Sequence, residues 1–215
     1  MGVPIWFYGV NALLELIVTL ACFLIFYSGY KAYRLTHEKK YRFFSLAFLL
    51  LGISFLARTL LHLLVFPLNA TFIIDKVRGS VNFGSPFYII LTLVAYLIIL
   101  AVCFRIQRKK TISILFLISL VGIFFTFNPM RNFHIISILL LLYIIGHFMK
   151  NYIRKQSLSS LATFVSFLLI LSGHILFLAL TFGVWQVYLA YLLAHLFQLA
   201  GYCGLLVTVG KVLIK

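Results

Sequence analysis

Long apolar runs separated by short polar stretches dominate the chain. Seven runs reach the roughly 17 to 25 mainly apolar residues that a membrane-crossing helix needs. They cover residues 4–28, 43–66, 86–104, 111–127, 133–149, 157–181 and 184–210. Backbone groups in lipid must be hydrogen-bonded within their own segment, and barrel strands would be shorter and alternating. The pattern therefore predicts an all-α fold, a polytopic seven-transmembrane-helix bundle that forms one domain over residues 1–215.

The connections between the runs are short, with one exception. Residues 67–85 form the longest connection, and because Pro67, Gly79, Gly84 and Pro86 punctuate it, we expect an external loop there. Asn128 and Pro129 predict a tight turn between helices 4 and 5. Those two runs are the shortest, at 17 residues each, so they could instead form a looser hairpin.

Basic residues mark one side of the predicted membrane. The connections after the first, third and fifth helices and the C-terminal tail lie on one side and contain fourteen of the 18 Lys and Arg residues: Lys31, Arg34, Lys39, Lys40, Arg42, Arg105, Arg108, Lys109, Lys110, Lys150, Arg154, Lys155, Lys211 and Lys215. The connections on the opposite side contain three, at Lys76, Arg78 and Arg131. Cytoplasmic loops carry such an excess of basic residues. We therefore expect a multi-pass protein of the cell membrane with its N-terminus outside and its C-terminus in the cytoplasm.

Composition supports this location and limits the partners. Hydrophobic residues make up 64% of the chain and charged residues 10%, whereas soluble domains are about a quarter charged. The net charge of +15 could indicate nucleic acid, but its confinement to short connections is typical of topology signals and headgroup anchors. The expected partners are the lipid bilayer, anionic lipid at the basic cytoplasmic loops, and a cytoplasmic or membrane protein, with no nucleic acid.

Polar residues inside the apolar runs are the candidate functional residues. An ionised residue at mid-membrane costs about 2.5–3.5 kcal/mol, so such residues face inward and find partners. Glu15 and Arg58 predict an intramembrane ion pair between helices 1 and 2. By helix rise, these two residues with Tyr96, His174 and His195 lie about 11–15 Å below the outer ends of their helices. This shared depth predicts one polar layer in the outer half of the bilayer.

Helical spacing predicts which polar side chains share a face. Stripes at intervals of three and four residues run along helices 1, 2, 3, 6 and 7, whereas helices 4 and 5 have no comparable stripe. We therefore expect helix 4 to be peripheral, and His134 and His147 to be interfacial. The expected pocket-lining residues are Asn11, His62, Thr92, Tyr96, His174, Tyr188, Tyr191, His195 and Gln198.

Sequence motifs for a cofactor or for catalysis are weak. His174 and His195 could ligate a b-type haem or a metal, but neither HxxxH nor HExxH spacing is present. Ser172-Gly173-His174 lacks a nucleophile setting of the GxSxG kind. We expect no catalytic residues, no metal and no cofactor, with haem b on these two histidines as the alternative.

Four functional hypotheses remain compatible with the sequence. The favoured one is a receptor-like or sensory module with its polar pocket in the outer half of the bilayer. A small-solute or proton-coupled transporter would use the same polar stripes as a pathway. A structural subunit of a membrane complex would use the polar layer to specify helix packing. A redox membrane protein would use the two histidines to hold haem or metal.

Overall fold

The computed structural model describes residues 5–65, 71–106, 109–125, 127–182 and 187–213. Side chains are described within 9–63, 86–106, 110–125, 127–182 and 189–210. The described chain is helical and contains no strand. Its elements are α1 (Ile5–Thr36), α2 (Lys39–Val65), α3 (Thr71–Phe104), α4 (Lys109–Phe124), α5 (Pro129–Lys155), α6 (Leu158–Thr181) and α7 (Val187–Leu213).

Six of these helices are long and apolar enough to cross a membrane. The chain is thus a multi-pass membrane protein by helix length and composition. Large apolar side chains such as Leu13, Leu24, Leu117, Leu139 and Ile153 are about half exposed or more, as contact with lipid requires. The exception is α4, whose 16 residues give about 24 Å of helix, less than the roughly 30 Å of a hydrocarbon core.

Several helices extend beyond the predicted apolar runs. Lys and Arg are good helix formers, so α1, α2 and α5 continue past the lipid-compatible residues and carry most basic residues on helix ends. The predicted external loop over residues 67–85 is wrong from Thr71 onward, because α3 begins there and continues through Pro86. Glycine and proline suggested a loop, but neighbouring helices in a membrane allow both residues within a helix.

The turn between α4 and α5 is closed by side chains. Asn128 caps α5 because its side-chain oxygen accepts a hydrogen bond from the backbone N–H of Arg131 at 3.1 Å. Pro129 occupies the first helical turn, where its missing N–H costs nothing. The amide of Asn132 donates to the carbonyl of Gly122 at 3.0 Å and so ties the start of α5 to α4.

Six helices form a closed ring around the core. Each packs against its two neighbours in the order α1, α2, α3, α5, α6, α7 and back to α1. Within the described residues, α4 packs only on α3 and α5, outside the ring. The expectation of a peripheral helix 4 agrees with this arrangement. The core inside the ring contains large aromatic side chains, among them Phe48, Phe55, Phe133 and Phe167.

All six ring helices meet at one end of the bundle. The C-terminal residues of α1, α3, α5 and α7 and the N-terminal residues of α2 and α6 line one cavity there. Lys40, Arg105 and Lys155 are among them, and we call this end the basic end. It follows that α3 and α5 run in the same direction.

Glycines bring α6 and α7 into close contact. A Cβ atom at Gly201 would lie 2.7 Å from the carbonyl oxygen of Ser166, and one at Gly173 would lie 2.9 Å from that of Ala194. A Cβ at Gly204 would collide with the Ser166 hydroxyl. Small residues of this kind allow helices in lipid to approach by backbone contact, and they bring the polar residues of α6 and α7 close to each other.

Candidate functional site

A buried carboxylate joins α1 to α2. Glu15 Oε1 lies 2.9 Å from Arg58 Nε, and Glu15 Oε2 lies 2.9 Å from His62 Nδ1. Arg58 and His62 are four residues apart, so the helical repeat places them one above the other on the face of α2 toward α1. The Glu15 side chain is 0% exposed. Both of its oxygens therefore face groups that can carry positive charge.

The guanidinium of Arg58 is held on three sides. Beyond Glu15, its Nη2 donates to the Tyr191 hydroxyl oxygen at 3.0 Å, and its Cζ lies 4.8 Å from the centre of the Tyr88 ring. The amide of Asn11 donates to the same Tyr191 oxygen at 3.1 Å and lies 3.1 Å from His62 Nδ1. We call Asn11, Glu15, Arg58, His62 and Tyr191 the ion cluster; it joins α1, α2 and α7.

A second group of polar side chains lies deeper in the ring. The Tyr96 hydroxyl is 2.9 Å from His174 Nε2 and 3.3 Å from the Tyr202 hydroxyl. His174 Nδ1 is in turn 3.1 Å from His134 Nδ1. These four residues form a continuous hydrogen-bonded chain across α3, α5, α6 and α7, which we call the tyrosine–histidine cluster. All four are at least 94% buried.

Sequence reasoning missed His134 and with it the contribution of α5. It was expected at the interface because it lies near the start of helix 5, yet it is buried at 6% exposure. Its ring stacks on Phe177 with centres 5.3 Å apart. Two polar residues at helical spacing are too few to stand out as a stripe. Ser137, three residues after His134 on the same face and also buried, was the available clue.

Removing His134 should expose its structural role. His134→Leu leaves Nδ1 of His174 without its partner, and an unsatisfied buried group costs about 1–3 kcal/mol. We expect a loss of that size in the free energy of unfolding, measured by thermal or denaturant unfolding in detergent micelles. His147→Leu is the matched control, since that half-buried imidazole contacts aromatic rings and has no described hydrogen bond. Equal losses in the two variants would contradict the assignment.

Three of the remaining predicted residues, Thr92, His195 and Gln198, lie in the interior without joining either cluster. Thr92 bonds to Ser54 across α2 and α3, with the two hydroxyl oxygens 2.8 Å apart. His195 contacts the rings of Tyr191 and Phe177. Its Nε2 and the side-chain nitrogen of Gln198 have no hydrogen-bond partner among the described residues. The side chain of Tyr188 lies outside the described residues.

The polar groups are arranged in two tiers where the depth estimate predicted one layer. Tyr88, beside Arg58, precedes Tyr96 by eight residues, which corresponds to about 12 Å along α3. Phe55 contacts both Tyr88 and Tyr202 and so fills the space between the tiers. The depth estimate for Tyr96 counts residues from 86, the predicted outer end of helix 3. Because α3 begins at Thr71, residue 86 is not the end of the helix and the estimated depth of Tyr96 does not hold.

His174 and His195, the alternative haem ligands, have different neighbours. Phe177 contacts the rings of both His134 and His195, whereas His174 bonds to Tyr96 and His134 through its two ring nitrogens. Ligation by His174 would require breaking one of these bonds. Within the described ranges, no group of three or more His, Cys, Asp or Glu residues is placed to hold a metal ion.

A cavity of about 520 Å³ opens inside the ring at the basic end. Lys40, Arg105 and Lys155 lie around it with Phe44 and Cys103. Its deepest residue on α7 is Leu205, one turn from Tyr202. The tyrosine–histidine cluster therefore lies within about 5 Å along the helix axis of this cavity, and the ion cluster lies beyond it.

Comparison of the chain with protein-family models, with curated proteins and with solved structures gives no match.

Proposed function

We propose that this chain is a seven-span sensory membrane module whose switch is the ion cluster. The observation that carries the proposal is one fully buried carboxylate shared between a guanidinium and an imidazole on the neighbouring helix. Such an arrangement changes its charge when one of its titratable groups gains or loses a proton. Residues that are costly to bury in a membrane are functional candidates by default.

The direction of the helices supports seven crossings. The C-terminal ends of α3 and α5 line the same cavity at the basic end. The chain between them must return to the opposite end, and α4 is the helix that makes this passage. To do so, this 16-residue helix must stay close to the membrane normal, and the bilayer must thin locally around it. The excess of Lys and Arg at the basic end supports placing that end in the cytoplasm and the N-terminus outside.

The input of the switch is a change of protonation in the ion cluster. From α1 the His62 ring faces Glu15 and Asn11. On the α7 side, Tyr191 accepts a hydrogen bond from the same Asn11 amide, and His195 contacts the Tyr191 ring. A proton gained or lost here changes the charge that Glu15 shares with its partners on α2, and with it the strength of the contact between α1 and α2. The side chains of His62 and Arg58 are 12% and 16% exposed, so the cluster has a reachable edge.

The output of the switch is the shape of the cavity at the basic end. α2 carries Arg58 and His62 in its second half and Lys40 at its cavity end, and α7 connects Tyr191 to the cavity residue Leu205. A rigid helix that shifts at the ion cluster must also shift at the cavity. Lys40, Arg105 and Lys155 around the cavity then move toward or away from a cytoplasmic partner, and the positive charge offered to that partner changes.

Cys103 provides a native probe of this coupling. It is half-buried and lines the cavity, whereas Cys22 is fully buried. With Cys203 replaced by alanine, the rate of Cys103 alkylation measures how open the cavity is. Glu15→Gln should change this rate by at least about fivefold at neutral pH, the lower end of usual coupling between sites. The ratio between variant and parent should also vary between pH 5 and 8, because the parent alone keeps the carboxylate–imidazole pair.

Thr92→Val is the control for this experiment. It removes a buried hydroxyl bonded to Ser54 and leaves the ion cluster intact. Taking the ratio at each pH cancels the ordinary ionisation of the thiol. If Glu15→Gln and Thr92→Val give the same rate as the parent throughout, the cluster only holds helices together, and the chain is a structural subunit.

Transport is the second candidate, favoured by the position of the cavity. The opening lies inside the ring and ends next to the hydrogen-bonded chain from Tyr202 to His134. A proton-coupled carrier would use these groups as part of its pathway. Proteoliposomes with an imposed pH gradient distinguish the two functions: a carrier dissipates the gradient faster than empty liposomes, and Tyr96→Phe slows it, whereas a sensor leaves it intact.

A further inference from the structure

A second opening at the basic end lies outside the ring. Both α2 and α4 pack on α3, but they do not contact each other within the described residues. The groove left between them has a volume of about 600 Å³. Because it lies on the outer face of the ring, it borders the lipid, and it shares Lys40, Val102 and Arg105 with the cavity inside the bundle.

The head of this groove is positively charged. Lys39 and Lys40 at the start of α2 and Arg105 after the end of α3 line it, and all three side chains are exposed. Lys40 pairs with Glu38. Lys39 and Arg105 have no carboxylate partner among the described side chains, and the chain contains just three Asp and Glu residues. Two cations are thus available to an anion from outside the chain.

The backbone fixes Arg105 at this position. Arg105 has a φ of 53°, in the left-handed region that ends helices. The N–H of Ile106 donates to the carbonyl of Ala101 at 2.9 Å and closes the last turn of α3. Ile106 and Ala101 themselves line the groove. The end of the helix therefore holds the guanidinium at the head and an apolar side chain beneath it.

The walls of the groove are apolar for about two helical turns below the head. Phe43 and Leu46 follow Lys39 on the same face of α2 and are 48% and 41% exposed. Ile98 on α3 and Ile112 on α4 form the other sides. Seven residues from Lys39 to Leu46 span about 10 Å. A cationic head above an apolar trough of this length matches the division of an amphiphile into headgroup and chain.

We propose that this groove binds one anionic glycerophospholipid from the leaflet at the basic end. Its phosphate lies between Lys39 and Arg105, with Lys40 at the side, and an acyl chain follows Phe43 and Leu46 toward Ile98. Basic pockets between helices recognise anionic headgroups in this way. A free phosphate would leave the apolar walls uncovered, and a lipid without net charge would balance neither of the two available cations, whereas an anionic lipid balances one. The proposal does not depend on the proposed function.

Native mass spectrometry of the purified protein tests this site. The protein is titrated in detergent with phosphatidylglycerol or with phosphatidylcholine of the same chains. We expect the parent protein to bind one phosphatidylglycerol at least about tenfold more tightly than phosphatidylcholine, and Lys39→Gln with Arg105→Gln to lose that preference. The matched control, Lys150→Gln with Arg154→Gln, removes two exposed charges at the same end that line neither opening, and it should keep the preference.

A variant with all charges intact tests the trough. Ile112→Trp fills the groove and should weaken phosphatidylglycerol binding about tenfold or more, while addition of inorganic phosphate should not displace the lipid from the parent. The proposal is overturned by equal losses in the two charge variants, since binding would then follow surface charge alone. Undiminished binding in Ile112→Trp, or displacement by inorganic phosphate, would show that the groove does not hold the chain.

Discussion

Arg58→Met should lower the free energy of unfolding by about 3–5 kcal/mol, the usual cost of breaking a buried ion pair by removing one partner. The cost arises because Glu15 stays fully buried and keeps only its contact with the His62 ring among the two contacts to α2. The variant also removes the donor to the Tyr191 oxygen and the cation over the Tyr88 ring. Thermal and denaturant unfolding in detergent micelles measure the loss.

The double variant Glu15→Gln with Arg58→Met separates charge from packing. It removes the stranded carboxylate, so we expect it to recover most of the loss caused by Arg58→Met. The coupling energy of this double-mutant cycle isolates the interaction between the two residues. If the two single losses simply added, Glu15 and Arg58 would not form an energetic unit.

The loss in Arg58→Met should also depend on His62. Without the guanidinium, the His62 ring is the described group that still contacts a carboxylate oxygen of Glu15. Removing this ring as well, in Arg58→Met with His62→Leu, should lower the free energy of unfolding by about a further 1–3 kcal/mol, the cost of one more unsatisfied buried group. If this double variant were as stable as Arg58→Met alone, the His62 contact would not contribute to holding Glu15.

The apolar runs predicted the helices well because lipid imposes one condition on every segment that crosses it. Each predicted segment corresponds to a helix, and α6, over Leu158–Thr181, differs from its prediction of 157–181 by one residue. The helix ends were less predictable, since apolar run length measures the part in lipid and not the whole helix. The start of α3 at Thr71 is the largest difference, because glycine and proline there do not break the helix.

The candidate site was predictable where several residues share a face. Helical spacing grouped Asn11 with Glu15 on α1 and Arg58 with His62 on α2, and the structure brings these four together. What spacing could not give is the pairing between helices, which depends on the order of the ring. His134 illustrates this limit, because its partner His174 lies on another helix 40 residues away.

Relative to Gly210→Ala, Gly201→Ala should lower the thermal midpoint of unfolding by about 2–12 °C, corresponding to an overpacking cost of about 1–3 kcal/mol. The new Cβ would lie 2.6 Å from Cγ1 of Ile170, 2.7 Å from the carbonyl oxygen of Ser166 and 3.1 Å from the Ile170 backbone nitrogen. Two of these three atoms belong to the backbone of α6, which a side-chain rotation cannot move. The helices must therefore separate.

Gly210→Ala on the same helix is the control that makes this result specific. Among the described atoms, a Cβ there meets nothing within 4 Å, and alanine is favoured over glycine in a helix by about 1 kcal/mol at both positions. We therefore expect Gly210→Ala to be neutral or stabilising while Gly201→Ala destabilises. If both substitutions shift the midpoint equally, close contact between α6 and α7 does not contribute to stability. A difference in the expected direction would show that close contact between α6 and α7 contributes to stability, and the same contact brings His174 on α6 and Tyr202 on α7 to the Tyr96 hydroxyl that they share.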